Sequence, residues 1–289
     1  MKYHLILYIT LTIIASVSAS MPPPFKRELY YTSSNPLEGS DVYIAQSFLL
    51  RSKYVTSFPA NKVYDLATKK AVEQFQSGNS LSVDGIIGPA TANLLIKLHL
   101  NDGYKDDGRF PEGYLYKIHI SVHSNRSIPA TAYLIAPNNT RIFKFPVLTQ
   151  GQGPNGGYNS FSDSGNTPTG LYEIDLNSPE NDPDDFGPYP VNRLTRGLAG
   201  NGAIITPDTS KSDNIRAGLL VHCGQSAEWK KGVIPPSHGC IHSWCSNIQR
   251  IWKILTLDLG VKVNKNYFGS VVPYPFNSQG VLSLELLDE

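Results

Sequence analysis

Two apolar periodicities divide the chain and limit the folds open to it. Between residues 37 and 98, apolar residues recur in three segments at the spacing of one helix face. From residue 114 onward they alternate with polar residues, as in Tyr116 to Val122, which is typical of half-buried strands. The sequence therefore predicts an α+β multidomain protein, in which a small three-helix bundle precedes a mainly β domain. Helix-start signals precede the three helical segments at Gly39, Asp65 and Gly88-Pro89.

The N-terminal segment and the changes in composition along the chain predict the limits of its domains. The N-terminus combines Lys2, an apolar run and the small-residue end Val17-Ser18-Ala19, which is typical of a secretory signal. The run is too short to favour a membrane-spanning helix, so we expect a secreted or extracytoplasmic protein with no membrane span in the mature chain. The predicted segments are a signal peptide (1–19), an extended leader (20–36), the helical domain (37–98), a polar linker (99–113), the β-rich domain (114–268) and a C-terminal tail (269–289).

The charge balance argues against a nucleic-acid partner. The formal net charge is only +1, charged residues make up 17% of the chain, and no basic stripe is present. Proteins that bind nucleic acid concentrate lysine and arginine on one face or along one helix. We therefore predict no nucleic-acid partner, and no cofactor.

A cysteine and a histidine in the second domain have the pattern of a nucleophile and its base. Cys240 ends the string Ser237-His238-Gly239-Cys240, and His222 lies upstream at the end of an apolar run typical of a buried strand. A thiol is largely protonated at neutral pH, so covalent catalysis needs a base within hydrogen-bond reach. His222 and His238 are the candidate bases.

This string resembles the signature of the L,D-transpeptidase catalytic domain, and the resemblance extends over residues 114–268, including Thr167-Pro168-Thr169-Gly170. The resemblance implies that Cys240 is the nucleophile, His222 the base, and the carbonyl of Cys223 the group that orients His222. It also implies that the Gly239 and Cys240 amides form an oxyanion hole, and that carbapenems acylate the thiol. His238 would line the substrate side, and Ser237, Cys223 and His242 would complete the substrate-binding part of the site.

One position departs from that family. His242 stands where the family has asparagine or arginine. An imidazole lacks the guanidinium fork that binds a carboxylate in bidentate fashion, so recognition of a carboxylate at this position is weakened. The Pro-, Asp- and Gly-rich stretch from Asn177 to Asp213 is also long for the family, and we expect a lid over the site or a surface excursion there.

The helical segment resembles a peptidoglycan-binding domain. The resemblance depends on Phe75-Gln76 and on the later string from Asp84-Gly85 to Thr91, and it covers residues 37–98. Together the two resemblances predict a cysteine-dependent acyl transfer on peptidoglycan stem peptides through a thioester. The alternatives are an L,D-carboxypeptidase or other hydrolase acting on peptidoglycan, and a non-catalytic peptidoglycan-binding protein.

The density of cysteine and histidine between His222 and Cys245 leaves two further possibilities open. Zinc binding is one, but the segment lacks the Cys-x-x-Cys and His-x-x-x-His spacings that zinc sites use, so we predict no metal. A disulfide between Cys223 and Cys245 is the other, since it would leave Cys240 as the single free thiol of the three cysteines. The sequence alone leaves this pairing as an alternative to two buried thiols.

Overall fold

The structure is a computed structural model that describes residues 20–207, 215–267 and 273–288. The predicted signal peptide (1–19) lies outside the described residues. Within the described part, no helix is long and apolar enough to cross a membrane. The described residues combine helices with a mixed sheet, so the α+β prediction is confirmed.

Three helices occupy the first part of the chain: α1 (Ser40–Leu49), α2 (Leu66–Gly78) and α3 (Pro89–His99). They begin after Gly39, Asp65 and Gly88, where the sequence predicts. The carboxylate of Asp65 accepts a hydrogen bond from the Thr68 amide at 2.8 Å and so satisfies one of the free N–H groups of α2. The apolar sides of the helices share one core with the leader, formed by residues such as Leu29, Val42, Phe48, Val72, Phe75, Ile87 and Leu95.

Gln76 explains part of the helical-domain motif in structural terms. Its amide nitrogen donates to Asp84 Oδ1 at 2.7 Å and to the Ile86 carbonyl at 2.9 Å. Its amide oxygen accepts from the Gly85 amide at 2.9 Å, where the backbone φ of Gly85 is +68°. A positive φ favours glycine, so the Asp-Gly pair and the buried glutamine together fix the turn between α2 and α3.

The second part of the chain forms an eight-stranded mixed sheet. The spatial order is β3-β2-β1-β8-β4-β5-β6-β7, and the β1–β8 and β6–β7 pairs are parallel. The strands are β1 (Tyr116–Val122), β2 (Ala130–Ile135), β3 (Arg141–Val147), β4 (Gly170–Asn177), β5 (Val191–Ala199), β6 (Leu220–His222), β7 (Ile241–His242) and β8 (Gly280–Leu286). Shorter helices are α4 (Pro154–Gly157), α5 (Pro183–Phe186), α6 (Gly200–Ile205) and a 3₁₀ turn (Trp229–Lys231), and α7 (Cys245–Lys253) continues into a π-helical turn (Ile254–Asp258).

The prediction of a C-terminal tail over residues 269–289 is wrong, because part of this segment belongs to the sheet. The second domain therefore does not end at residue 268. Gly280–Leu286 form β8, which lies between β1 and β4 in the middle of the sheet. Its residues from Leu282 to Leu286 alternate between apolar and polar, which is typical of a strand, although most of the strand is buried. Its parallel partner β1 is also distant in sequence, and no local turn signals the pairing.

The described part of the predicted lid stretch, residues 177–207, is not a lid as a whole, and residues 208–213 lie outside the described residues. It contains β5, which pairs with both β4 and β6, and the helix α6 that packs against the sheet. The predicted polar linker is also held in place. Asp106 forms a buried ion pair with Lys117 at 2.8 Å, and Tyr104 Oη lies 3.1 Å from Ser283 Oγ of β8.

The helical part and the sheet part share a packed interface. Phe48 of α1 contacts Phe161 edge-on, with ring centroids 5.0 Å apart, and stacks on His99 at 5.3 Å. Arg51 Nη1 donates to Asn201 Oδ1 at 2.7 Å across the same junction. Because Phe161 is buried in the core of the helices, the junction is an extension of that core.

Candidate active site

A disulfide and a free thiol account for the three cysteines. Cys223, which follows β6, is bonded to Cys245 at the start of α7. Cys240 is free and half-buried. The disulfide removes both of its cysteines from the zinc-ligand alternative, because a bonded sulfur has no thiolate to offer a metal.

His222 ends β6 and is buried, with only 2% of its surface exposed. Its Nδ1 lies 2.8 Å from the Cys223 carbonyl oxygen. Because a carbonyl can only accept, Nδ1 carries the proton and Nε2 keeps its lone pair. Burial, and then the neighbouring His242, lower the pKa of His222 to about 3. The imidazole is therefore neutral at physiological pH and available as a base at Nε2.

The parallel pairing of β6 with β7 brings the histidine and the cysteine to one site. Its register places Val221 opposite Ile241 and His222 opposite His242, and Cys240 directly precedes β7. Cys240 and His222 line the same cavity, which has a volume of about 470 Å³. Burial raises the pKa of the Cys240 thiol, while a backbone hydrogen bond from Leu220 and the nearby Arg216 charge lower it. The thiol is therefore protonated at rest.

The loop before Cys240 is fixed by hydrogen bonds within the Ser-His-Gly-Cys string. Ser237 Oγ accepts from the Gly239 amide at 2.9 Å and donates to the Cys240 carbonyl at 2.7 Å. The Gly239 amide is thus used inside the loop, and Gly239 is not among the residues that line the cavity. The structure therefore does not support Gly239 as an oxyanion-hole donor. Thr167, from the Thr-Pro-x-Gly string, donates to the Gly239 carbonyl at 2.9 Å and so supports the loop.

Arg216 is a site residue that the sequence analysis did not identify. Its side chain is buried, and its two terminal nitrogens donate to four backbone carbonyls. The four acceptors are Ser160 and Asn166 for Nη1, and Gly165 (3.3 Å) and His238 (2.8 Å) for Nη2.

Arg216 also explains why the string contains a glycine. A Cβ atom on Gly239 would lie 1.6 Å from Arg216 Nη2, and the backbone φ of Gly239 is +102°. Both facts exclude a side chain at this position. The guanidinium therefore holds the nucleophile loop and places a positive charge close to the thiol.

The two other histidines occupy different parts of the cavity wall. His238 is exposed, and its Nδ1 lies 3.1 Å from Ser164 Oγ. His242 is buried, its Nδ1 donates to the Pro235 carbonyl at 2.8 Å, and its ring lies 4.6 Å from that of His222. Burial lowers the pKa of His242 to about 4. The position where the family has asparagine or arginine is therefore a neutral imidazole whose free Nε2 is an acceptor.

The charges on the cavity wall are mainly negative. Asp163, Asp185 and Glu228 line it and are exposed. Arg216 is the one cation among the described residues that line the cavity, and all four of its terminal N–H groups are directed at backbone carbonyls. Among the described residues of the stretch from 177 to 213, only Asp185 and Phe186 line the cavity.

Comparison with known protein families finds a match for the first part of the chain. Residues 38–95 match the family model of a putative peptidoglycan-binding domain, which confirms the resemblance found for residues 37–98. No curated protein matches the chain.

Solved structures similar to this chain include two bacterial proteins. An L,D-transpeptidase (Yku) from Stackebrandtia nassauensis is 11% identical and has a TM-score of 0.31, and the alignment covers 89% of this chain and 96% of that one. A fused Zn-dependent amidase/peptidase/peptidoglycan-binding domain-containing protein from Clostridium acetobutylicum ATCC 824 is 15% identical and has a TM-score of 0.27. That alignment covers 89% of this chain and 99% of the other. At these TM-scores neither likeness supports an argument about the activity.

Proposed function

We propose that this protein is a peptidoglycan acyltransferase of the L,D-transpeptidase type, with Cys240 as nucleophile and His222 as general base. The observation that carries the proposal is the single cavity that holds the free thiol and an imidazole with an available Nε2 lone pair. The match of residues 38–95 to a peptidoglycan-binding domain supports the choice of substrate and an extracytoplasmic site of action.

The proposed reaction has two acyl-transfer steps. Cys240 Sγ attacks the carbonyl carbon of the third residue of the stem peptide while His222 Nε2 takes the thiol proton. The tetrahedral intermediate collapses, the carbon–nitrogen bond to the terminal D-alanine breaks, and His222 returns the proton to the leaving amine. An amine of a second stem then attacks the thioester, gives its proton to His222, and releases Cys240, which regains the proton. Water in place of that amine gives hydrolysis.

The resting site holds a neutral thiol and a neutral imidazole. Burial raises the pKa of Cys240 and lowers the pKa of His222, so a thiolate–imidazolium pair is disfavoured before substrate binds. Proton transfer therefore accompanies the attack of sulfur on the carbonyl. The Arg216 charge favours the anionic sulfur in that step.

The cavity wall favours a substrate that brings hydrogen-bond donors. His242 offers an acceptor at Nε2, and the exposed carboxylates of Asp185 and Glu228 attract an amine or an amide N–H. The Arg216 terminal N–H groups are already used, so a carboxylate of the substrate meets no free guanidinium here. A stem peptide with an amine or amidated side chain fits this wall better than one with a free side-chain carboxylate.

Mass spectrometry of the products tests the proposal. The purified protein is incubated with a disaccharide-tetrapeptide, and Cys240→Ala is the matched control. Loss of D-alanine with formation of a dimer indicates transpeptidation, and loss of D-alanine without a dimer indicates the carboxypeptidase reaction. Unchanged substrate with the wild-type protein rejects the enzymatic proposal and leaves the non-catalytic peptidoglycan-binding alternative.

A further inference from the structure

A second cavity meets the candidate active site. It has a volume of about 640 Å³ and lies between the leader, the start of α1 and the loop around Phe161. Asp163 and Ile215 line both this cavity and the one that holds Cys240. The two cavities are therefore neighbours, and these two residues form the part of the wall that they share.

The walls of the second cavity are fixed by contacts within the protein. Arg27 Nε donates to Asp41 Oδ2 at 3.0 Å, and Arg27 Nη2 donates to the Glu38 carbonyl at 2.7 Å. On the opposite side, Asn159 Nδ2 donates to the Pro23 carbonyl at 2.7 Å. The cavity is thus formed before any ligand binds, which limits the entropy lost on binding.

The lining of the cavity has the chemistry of a carbohydrate site. Lys26, Ser40 and Asp163 are exposed and present an ammonium, a hydroxyl and a carboxylate, which can bond sugar hydroxyls and acetamides. Pro23, which is exposed, and Ile215, which is half-buried, supply apolar surface against which a sugar ring can pack. Ligand sites of this mixed kind occur preferentially between domains.

We propose that this cavity binds the glycan part of the peptidoglycan substrate while the attached stem peptide extends to Cys240. The inference rests on the proposed function, because it uses the same substrate and the same nucleophile. The segment that matches a peptidoglycan-binding domain provides one wall, through Gly39, Ser40 and Asp41. Binding of the remote sugar positions the stem peptide, so part of the glycan binding energy lowers the barrier of the acyl transfer.

A comparison of two substrates tests the inference. The wild-type protein is expected to process a disaccharide-tetrapeptide with a kcat/KM about tenfold higher than that of the free tetrapeptide. Ser40→Trp fills the cavity and should abolish this preference while kcat/KM for the free tetrapeptide stays unchanged. Lys26→Ala, a milder change, should reduce the preference without filling the cavity.

Two variants of exposed residues on α2 serve as matched controls: Ser77→Trp and Lys70→Ala, neither of which lines the cavity. Both should keep the wild-type preference. Equal kcat/KM values for the two substrates in the wild-type protein would overturn the inference, and so would an equal loss on both substrates in Ser40→Trp.

Glycan binding is also measured without turnover, so that the inference and the proposed function can fail separately. Saturation-transfer NMR with the free disaccharide should show binding to the wild-type protein and to Ser77→Trp, and loss of binding in Ser40→Trp. If the disaccharide binds in this way but no substrate is processed, the cavity assignment holds and the catalytic proposal fails. Disaccharide binding that is absent, or that Ser40→Trp leaves intact, overturns the cavity assignment.

Discussion

Removal of the Arg216 side chain should destabilise the second domain and disorder the nucleophile loop. In Arg216→Met, four backbone carbonyls lose their donor, among them those of Gly165 and His238. Each buried carbonyl left without a partner costs about 1–3 kcal/mol. Some of these carbonyls gain access to water as the loop relaxes, so we expect a total loss of about 3–5 kcal/mol in the free energy of unfolding, below the full sum. Arg216→Lys keeps the positive charge but not the planar guanidinium fork. For this variant we expect the free energy of unfolding to fall by about 1–3 kcal/mol.

Urea denaturation followed by tryptophan fluorescence measures this loss. All three tryptophans, Trp229, Trp244 and Trp252, lie in the second domain, so the signal reports the part of the chain that contains Arg216. Arg250→Met is the matched control, because Arg250 is exposed on α7 and contacts the face of an aromatic ring. An Arg216→Met protein within about 1 kcal/mol of the wild type would refute the role assigned to these hydrogen bonds.

Three further predictions concern the low pKa values of His222 and His242 and the disulfide between Cys223 and Cys245. Because the pKa of His222 is about 3, the rate of Cys240 acylation by a carbapenem should stay constant from pH 7.5 down to pH 5, and a decline centred near pH 6.5 would contradict the assignment. Below about pH 6.5 the unfolded chain binds protons at His222 and His242 that the folded protein does not take up until about pH 3 and 4. The free energy of unfolding should therefore fall as the pH drops, by about 2 kcal/mol for each histidine at pH 5 relative to pH 7, and equal urea midpoints at the two pH values would contradict this. The double variant Cys223→Ser/Cys245→Ser should lose about 3 kcal/mol of stability, measured by urea denaturation, since it opens a loop of 22 residues; a loss below 1 kcal/mol would show that the disulfide contributes little.

Features encoded in short stretches of sequence could be predicted. The helix starts at Asp65 and Gly88 were recognisable because capping depends on residues within one turn. The nearness of Cys240 and His222 was indicated by a local string and one apolar run, and the β6–β7 pairing places both residues on one cavity.

Features that depend on distant partners could not be predicted. Arg216 stands just before the apolar run that leads into β6, but its acceptors are 22 to 56 residues away and are backbone atoms, which carry no sequence signal. The resemblance predicts that the Gly239 amide faces the substrate. In the structure this amide donates to Ser237 Oγ, and that hydrogen bond depends on the loop conformation. The position of β8 in the sheet depends on its parallel pairing with β1. Parallel strands are not joined by a tight turn, so no turn sequence indicates this pairing.

The most direct test of the central claim is to isolate the acyl-enzyme. The wild-type protein is mixed with a disaccharide-tetrapeptide, quenched in acid at short times, and analysed by intact-protein mass spectrometry and peptide mapping. We expect one adduct per chain, located at Cys240, with the mass of the substrate minus D-alanine. Hydroxylamine should release it, as it releases a thioester. His222→Ala should slow its formation strongly, and Cys240→Ala should form none. Release of D-alanine by Cys240→Ala at the wild-type rate, or an adduct at another residue, would contradict the claim that Cys240 is the nucleophile.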